Sequence, residues 1–253
     1  MDVGRDVTQC YMRIRYLAKL TLNFRSAIDG MLPETKDQFI APKISELLAP
    51  NLPDISSNRQ HPLDDYISNY RLFLSQRNIT RQCCFNFIQN AEAAFDEYCA
   101  ARTSLLEYLP VKATTIAPYF AALRHFEHCL AHLNQAVDSM NAIRRSCGEE
   151  VEFEKGDGSA LQRVNDLNNY VKHMAGRYGE LPQRKKRTFD LFAMRSDGSK
   201  SIPHEAKHAA NVPIWITNDG LEGQKASLTY GELADEVIGA VKNAEIVANL
   251  ARH

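Results

Sequence analysis

The residues of this chain best placed to do chemistry lie in Leu161–Arg177, LQRVNDLNNYVKHMAGR. Read as a helix, the segment puts Asn169, His173 and Arg177 at successive i, i+4 steps, one above another on a single face. Asp166 falls close to the same stripe, and Lys172 sits beside the histidine. An imidazole titrating near neutrality, next to an amide and a cation, is a set suited to cleaving a phosphodiester. The ring would shuttle the proton while the cation stabilises charge building on the phosphate. With RNA the adjacent 2′-hydroxyl supplies the nucleophile, so no metal is required. The plainer alternative is that Asn168-Asn169-Tyr170-Val171-Lys172-His173 is the polar side of an amphipathic helix, with His173 bonded to a neighbouring element.

A basic run, Arg184-Lys185-Lys186-Arg187, follows shortly after and makes the stretch from Arg177 to Lys200 locally positive. It suits an RNA backbone. It suits equally an exposed loop paired with the acidic segment 148–158, GEEVEFEKGDG, within the chain or across a dimer. That acidic segment lacks the alternating oxygen ligands of a calcium loop.

A second polar set is His125, His128 and His132, at i, i+3 and i+7 of another helical segment. A metal needs ligands converging from more than one element, and no carboxylate or cysteine partner lies nearby in sequence, so solvated or core-edge histidines are expected. Gly-rich phosphate loops, H-E-x-x-H and G-x-S-x-G are all absent. The six cysteines (Cys10, Cys83, Cys84, Cys99, Cys129 and Cys147) contain no C-x-x-C pair. They are expected to be small buried hydrophobes in a reducing cytosol. Neither a cofactor nor a metal is expected.

The elements that must position these residues are mostly helical. At 253 residues, with 44% hydrophobic and 24% charged residues, the chain can bury a sizeable core. A formal net charge of −1 argues against coating nucleic acid or membrane with the whole surface. The opening MDVGRDVTQCYMRIRYLAKL is not a secretory leader, and no apolar run approaches a membrane span. A cytoplasmic protein without membrane attachment is expected.

Apolar spacing predicts a helix over 5–29 and a shorter one after Pro33, through Phe39, Ile40, Ile44, Leu47 and Leu48. Pro50, Pro53 and Pro62 mark 49–62 as a loop. From Leu63 to about Leu109 the pattern is helical again, as one helix or as two with a bend near 78–80. The next helix starts around Thr114–Pro118 and stops at Gly148, with Phe120, Leu123, Phe126, Leu130, Leu133, Val137 and Met140 as its core stripe.

After the 161–177 helix the character changes. Phe189, Leu191 and Ala193 alternate before the turn at 196–199, which allows a short hairpin. Val212–Thr217, VPIWIT, is the best strand candidate and runs into an Asn-Asp-Gly turn. Thr229 and Glu232 form a capping box that opens the closing helix. The expected fold is all-α: a helical bundle with a small irregular or β-hairpin insertion at 180–228. Residues 1–110 form an N-terminal long-helix region, continuous with 111–253.

Residues 114–251 resemble the bacterial HEPN superfamily (higher eukaryotes and prokaryotes nucleotide-binding domain). The likeness rests on a long hairpin, a penultimate helix ending NNYVKH at 168–173, and a closing helix. The motif of that family is an arginine, a polar residue, a few further residues and a histidine. Asn169 matches the polar residue and His173 the histidine, while the arginine position falls at Asn168; Arg163 lies ten residues before His173. The resemblance implies an all-α dimer of a bacterial toxin–antitoxin or anti-phage system, acting on RNA without a metal. In that reading His173 is the general acid/base, Asn169 positions it or the phosphate, and Arg177 with 184–187 holds the backbone. The expected partners are RNA, a protein of the same system and a second copy. The alternative is a non-catalytic helical scaffold or neutralising partner, in which Asn169–His173 is a structural polar seam.

Overall fold

In the computed structural model the described residues are 36–37, 40–41, 43–48, 50–59, 78–172, 212–223 and 226–250. The predicted 5–29 helix, the 189–193 alternation, His173, Arg177 and Arg184–Arg187 lie outside them. The described fold is mostly helical, with four α-helices and a small antiparallel sheet placed before the last helix.

Two long helices form an antiparallel hairpin, α1 (Asn78–Val111) and α2 (Ala117–Cys147). Helix α1 is continuous from 78, with Pro110 in its final turn. The ends of α2 follow its local chemistry. Pro118 stands in the first turn, where a missing N–H costs nothing. Gly148 closes the helix in the left-handed region at φ 76°, its N–H reaching Arg144 and Arg145 carbonyls. The predicted stripe points inward: Leu123, Phe126, Leu130, Leu133, Val137 and Met140 are buried, and Phe120 packs at the core's edge. Aromatic pairs bind the hairpin, with Tyr98 edge-on to Phe126 at 6.3 Å and Tyr108 edge-on to Tyr119 at 5.4 Å.

The stretch around 40–48 departs from expectation. Residues 43–46 form turns, and Lys43 has φ 64°. The chain is helical at 36–37, with the Ile40 N–H reaching the Lys36 carbonyl, and Pro42 in the sequence, lacking an N–H and disfavouring helical geometry at Ala41, keeps that turn from running on through 48. The segment instead wraps the hairpin's closed end. Ile40, Ile44, Leu47, Leu52 and Ile55 are buried there. Lys112 Nζ donates to the Leu47 carbonyl at 2.8 Å, and the Tyr98 hydroxyl donates to the Pro53 carbonyl at 3.1 Å.

Strands β1 (Ile214–Ile216), β2 (Gly220–Gly223) and β3 (Ser227–Thr229) form a meander in the order β1-β2-β3. The expected hairpin thus gains a third strand, because Thr229 serves both as the end of β3 and as the cap of α4 (Tyr230–Leu250). The capping box forms: the Thr229 N–H donates to Glu232 Oε2 at 3.0 Å, and the Glu232 N–H donates to Thr229 Oγ1 at 3.2 Å. Tyr230 then stacks on Phe126 at 5.8 Å and donates its hydroxyl to the Thr217 carbonyl at 2.7 Å. The Asn-Asp-Gly turn is a clamp. Asn218 accepts the Leu48 N–H on Oδ1, donates Nδ2 to the Glu46 carbonyl, and accepts the Asn51 N–H on its own carbonyl. One contiguous core runs from Ile40 to Ala248.

Candidate functional site

The candidate helix, α3 (Ala160–Lys172), starts where a small network fixes it. Ser159 Oγ accepts the Gln162 N–H at 3.1 Å, and Asp157 Oδ1 accepts the Ser159 N–H at 2.8 Å. The acidic segment before it is stitched to α2. Buried Asn141 accepts the Glu152 N–H on Oδ1 and donates Nδ2 to the Phe153 carbonyl, and Arg144 pairs with Glu152 at 2.7 Å. Within the described residues, therefore, this acidic stretch already has a basic partner on α2.

Helix α3 packs against α2, α4 and the sheet. Val164, Leu167 and Asn168 face inward, and β2 rests on the helix through Gly223. A Cβ on Gly223 would stand 3.1 Å from Leu167 Cδ2 and 3.2 Å from Tyr170 Cδ2. At the last described turn Asn169, Tyr170 and Val171 are half-buried and Lys172 is exposed.

Of the sequence-derived site residues, Asn169 is described and lies on the partly accessible side of α3. Asp166, three residues before Asn169, is engaged within the helix: its Oδ1 accepts Gln162 Nε2 at 2.8 Å. Arg163, the arginine of α3, is committed elsewhere. It forms an ion pair with Glu232 at the cap of α4 and donates to the Gly158 carbonyl at 2.9 Å.

Asn168 is the surprise. It is 1% exposed, and among the described residues neither Oδ1 nor Nδ2 has a hydrogen-bond partner. A helical count makes its burial legible, since it lies one turn below Val164 on the apolar stripe. The missing partners were not legible.

On the hairpin, the three histidines find partners that the sequence did not suggest. His125 Nδ1 is 2.6 Å from Glu97 Oε2, His128 Nδ1 is 3.5 Å from Glu97 Oε1, and His132 Nδ1 is 2.9 Å from Asn90 Oδ1. The partners come from α1, where Asn90 and Glu97 are seven residues apart, as are His125 and His132 on α2. That matched spacing becomes a signal only once the two helices are known to run antiparallel side by side. Burial lowers the His132 pKa, against an opposing pull from Glu97. Burial raises that of Glu127.

Among the described residues no group of three or more His, Cys, Asp or Glu side chains converges as a metal cage. No described helix is long and apolar enough to cross a membrane. Comparison with protein-family models, curated proteins and solved structures finds no match for this chain.

Proposed function

We propose that the protein is a HEPN-like, RNA-acting protein of a bacterial defence or toxin system, working at the C-terminal end of α3 together with the basic segment that follows it. The observation that carries this reading is Asn169, half-buried at the last described turn of α3 beside Asn168, whose buried amide has no hydrogen-bond partner among the described residues. A buried polar group without a partner costs about 1–3 kcal/mol, and such a cost is tolerated mainly where function uses the group. The firm anchorage of α3 supports the same reading, because a site on a helix packed on three sides is held in register. In this mechanism His173 transfers the proton, Asn169 orients the ring or the phosphate, and Arg177 with Arg184–Arg187 holds the backbone. The chemistry proceeds without a metal, on a homodimer.

A second reading, a non-catalytic scaffold or neutralising partner, is favoured by Arg163. Its ion pair with Glu232 removes the arginine of α3 from any phosphate site, and the motif's own arginine position is buried Asn168.

The test is RNA cleavage by the purified protein in EDTA, wild type against His173→Ala, across a pH series. Cleavage that survives EDTA, follows a titration near neutrality and disappears in the folded variant establishes the first reading. Equal activity of variant and wild type, or none in either, moves the assignment to the scaffold.

A further inference from the structure

The histidine face of α2 has the construction of a ligand site. The Asn90 amide oxygen only accepts hydrogen bonds, so Nδ1 of His132 carries the hydrogen, while Nδ1 of His128 faces Glu97 Oε1 at 3.5 Å. In a neutral imidazole that leaves the lone pair on Nε2. Metal-binding histidines are held in this way, with the second ring nitrogen donating to a carboxylate or carbonyl that fixes the tautomer and raises the basicity of the ring. His128 and His132 are four residues apart, which stacks them on one face of α2. The His128 side chain is 53% exposed, and His132 is half-buried.

We infer that His128 and His132 chelate one divalent transition-metal ion through their Nε2 atoms, with Glu97 and Asn90 orienting the two rings. Imidazole donors select zinc, nickel or copper over magnesium and calcium. Because no third protein donor converges here among the described residues, the site is an open two-point chelate whose remaining positions are filled by water. His125, 2.6 Å from the other oxygen of Glu97, fixes that carboxylate in place. The inference is independent of any role for α3.

The experiment is a calorimetric titration of EDTA-stripped, dialysed full-length protein with NiCl2 at about pH 7.5. Wild type is compared with the His128→Ala/His132→Ala double variant and with Glu97→Gln. The expected result is one fewer bound equivalent in the double variant. Glu97→Gln should weaken the same site by about tenfold or more, the range for loss of an orienting partner. A double-variant isotherm that reproduces the wild type overturns the inference. Should the double variant lose helicity, the wild type decides by NMR of its imidazole C–H signals. Paramagnetic Ni2+ broadens the His128 and His132 rings at sub-stoichiometric metal if they are the ligands. Sharp signals from both rings at that point overturn the assignment.

Discussion

Asn168→Leu should make this protein more stable, against the usual direction of a core substitution. The side chain is 1% exposed, both of its amide atoms are unpaired among the described residues, and Val164 and Leu167 are buried on the same helix. Removing an unsatisfied buried amide recovers about 1–3 kcal/mol. Leucine branches at the same carbon and is somewhat larger, so repacking returns up to about 1.5 kcal/mol of that gain. The net expectation is a gain of about 1 kcal/mol. With urea m-values of about 1–3 kcal/mol/M, the unfolding midpoint should rise by a few tenths of a molar to about 1 M at unchanged m. The melting temperature should rise by about 2–4 °C per kcal/mol for a chain of this size. A midpoint lowered by the equivalent of 1 kcal/mol or more would refute the reasoning, since it would mean that the amide is bonded in the native state. RNA cleavage measured on the same variant separates the two functional readings. A working site at the end of α3 predicts gained stability with lost cleavage, whereas a scaffold gains stability and keeps its binding.

Two further outcomes follow from the sheet and its cap. Gly220→Ala should destabilise severely, by about 3 kcal/mol or more. An added Cβ would stand 2.0 Å from the Leu228 carbonyl oxygen and 2.7 Å from Thr229 Cα, both backbone atoms of the paired strand. Urea unfolding of the variant checks this, and a loss below 1 kcal/mol would show that β2 and β3 separate freely. Glu232 should contribute an acid-side dependence of stability. The Thr229 backbone N–H, then the Thr229 hydroxyl and Arg163, hold its carboxyl below the ordinary value of 4.5. A depressed carboxylate stabilises above its unfolded pKa and loses that contribution as pH falls through the folded one. Below about pH 4.5, melting temperature should therefore fall more steeply in wild type than in Glu232→Gln; parallel curves would remove the claim.

What the sequence made legible is what short-range chemistry decides. Gly148 ends α2 because a left-handed terminus needs no Cβ, and Thr229 with Glu232 opens α4 because both partners of the capping box lie within one turn. The inward stripe of α2 is visible for the same reason: a 3.6-residue period requires no knowledge of the partner. The stretch at 40–48 shows the converse, because apolar spacing there fits a helix while Pro42 opposes its continuation. Pairings between residues far apart in sequence were not legible. Glu97 and Asn90 stand some thirty to forty positions before their histidines, and Asn218 grips carbonyl and amide groups of residues 46–51. Such contacts are set by hairpin register and tertiary closure, which no local window contains.

The two polar features of this body differ in a way that bears on function. His125 and His132 are hydrogen-bonded on Nδ1 by Glu97 and Asn90 of α1, so their geometry costs the fold little. Among the described residues the amide of Asn168 is satisfied on neither atom, an arrangement that opposes folding. A satisfied group can be retained for stability alone. An unsatisfied one in an apolar setting cannot, because leucine would serve the core better. The paired measurement on Asn168→Leu reads both sides of that asymmetry: the stability that asparagine sacrifices and the RNA chemistry that would explain keeping it.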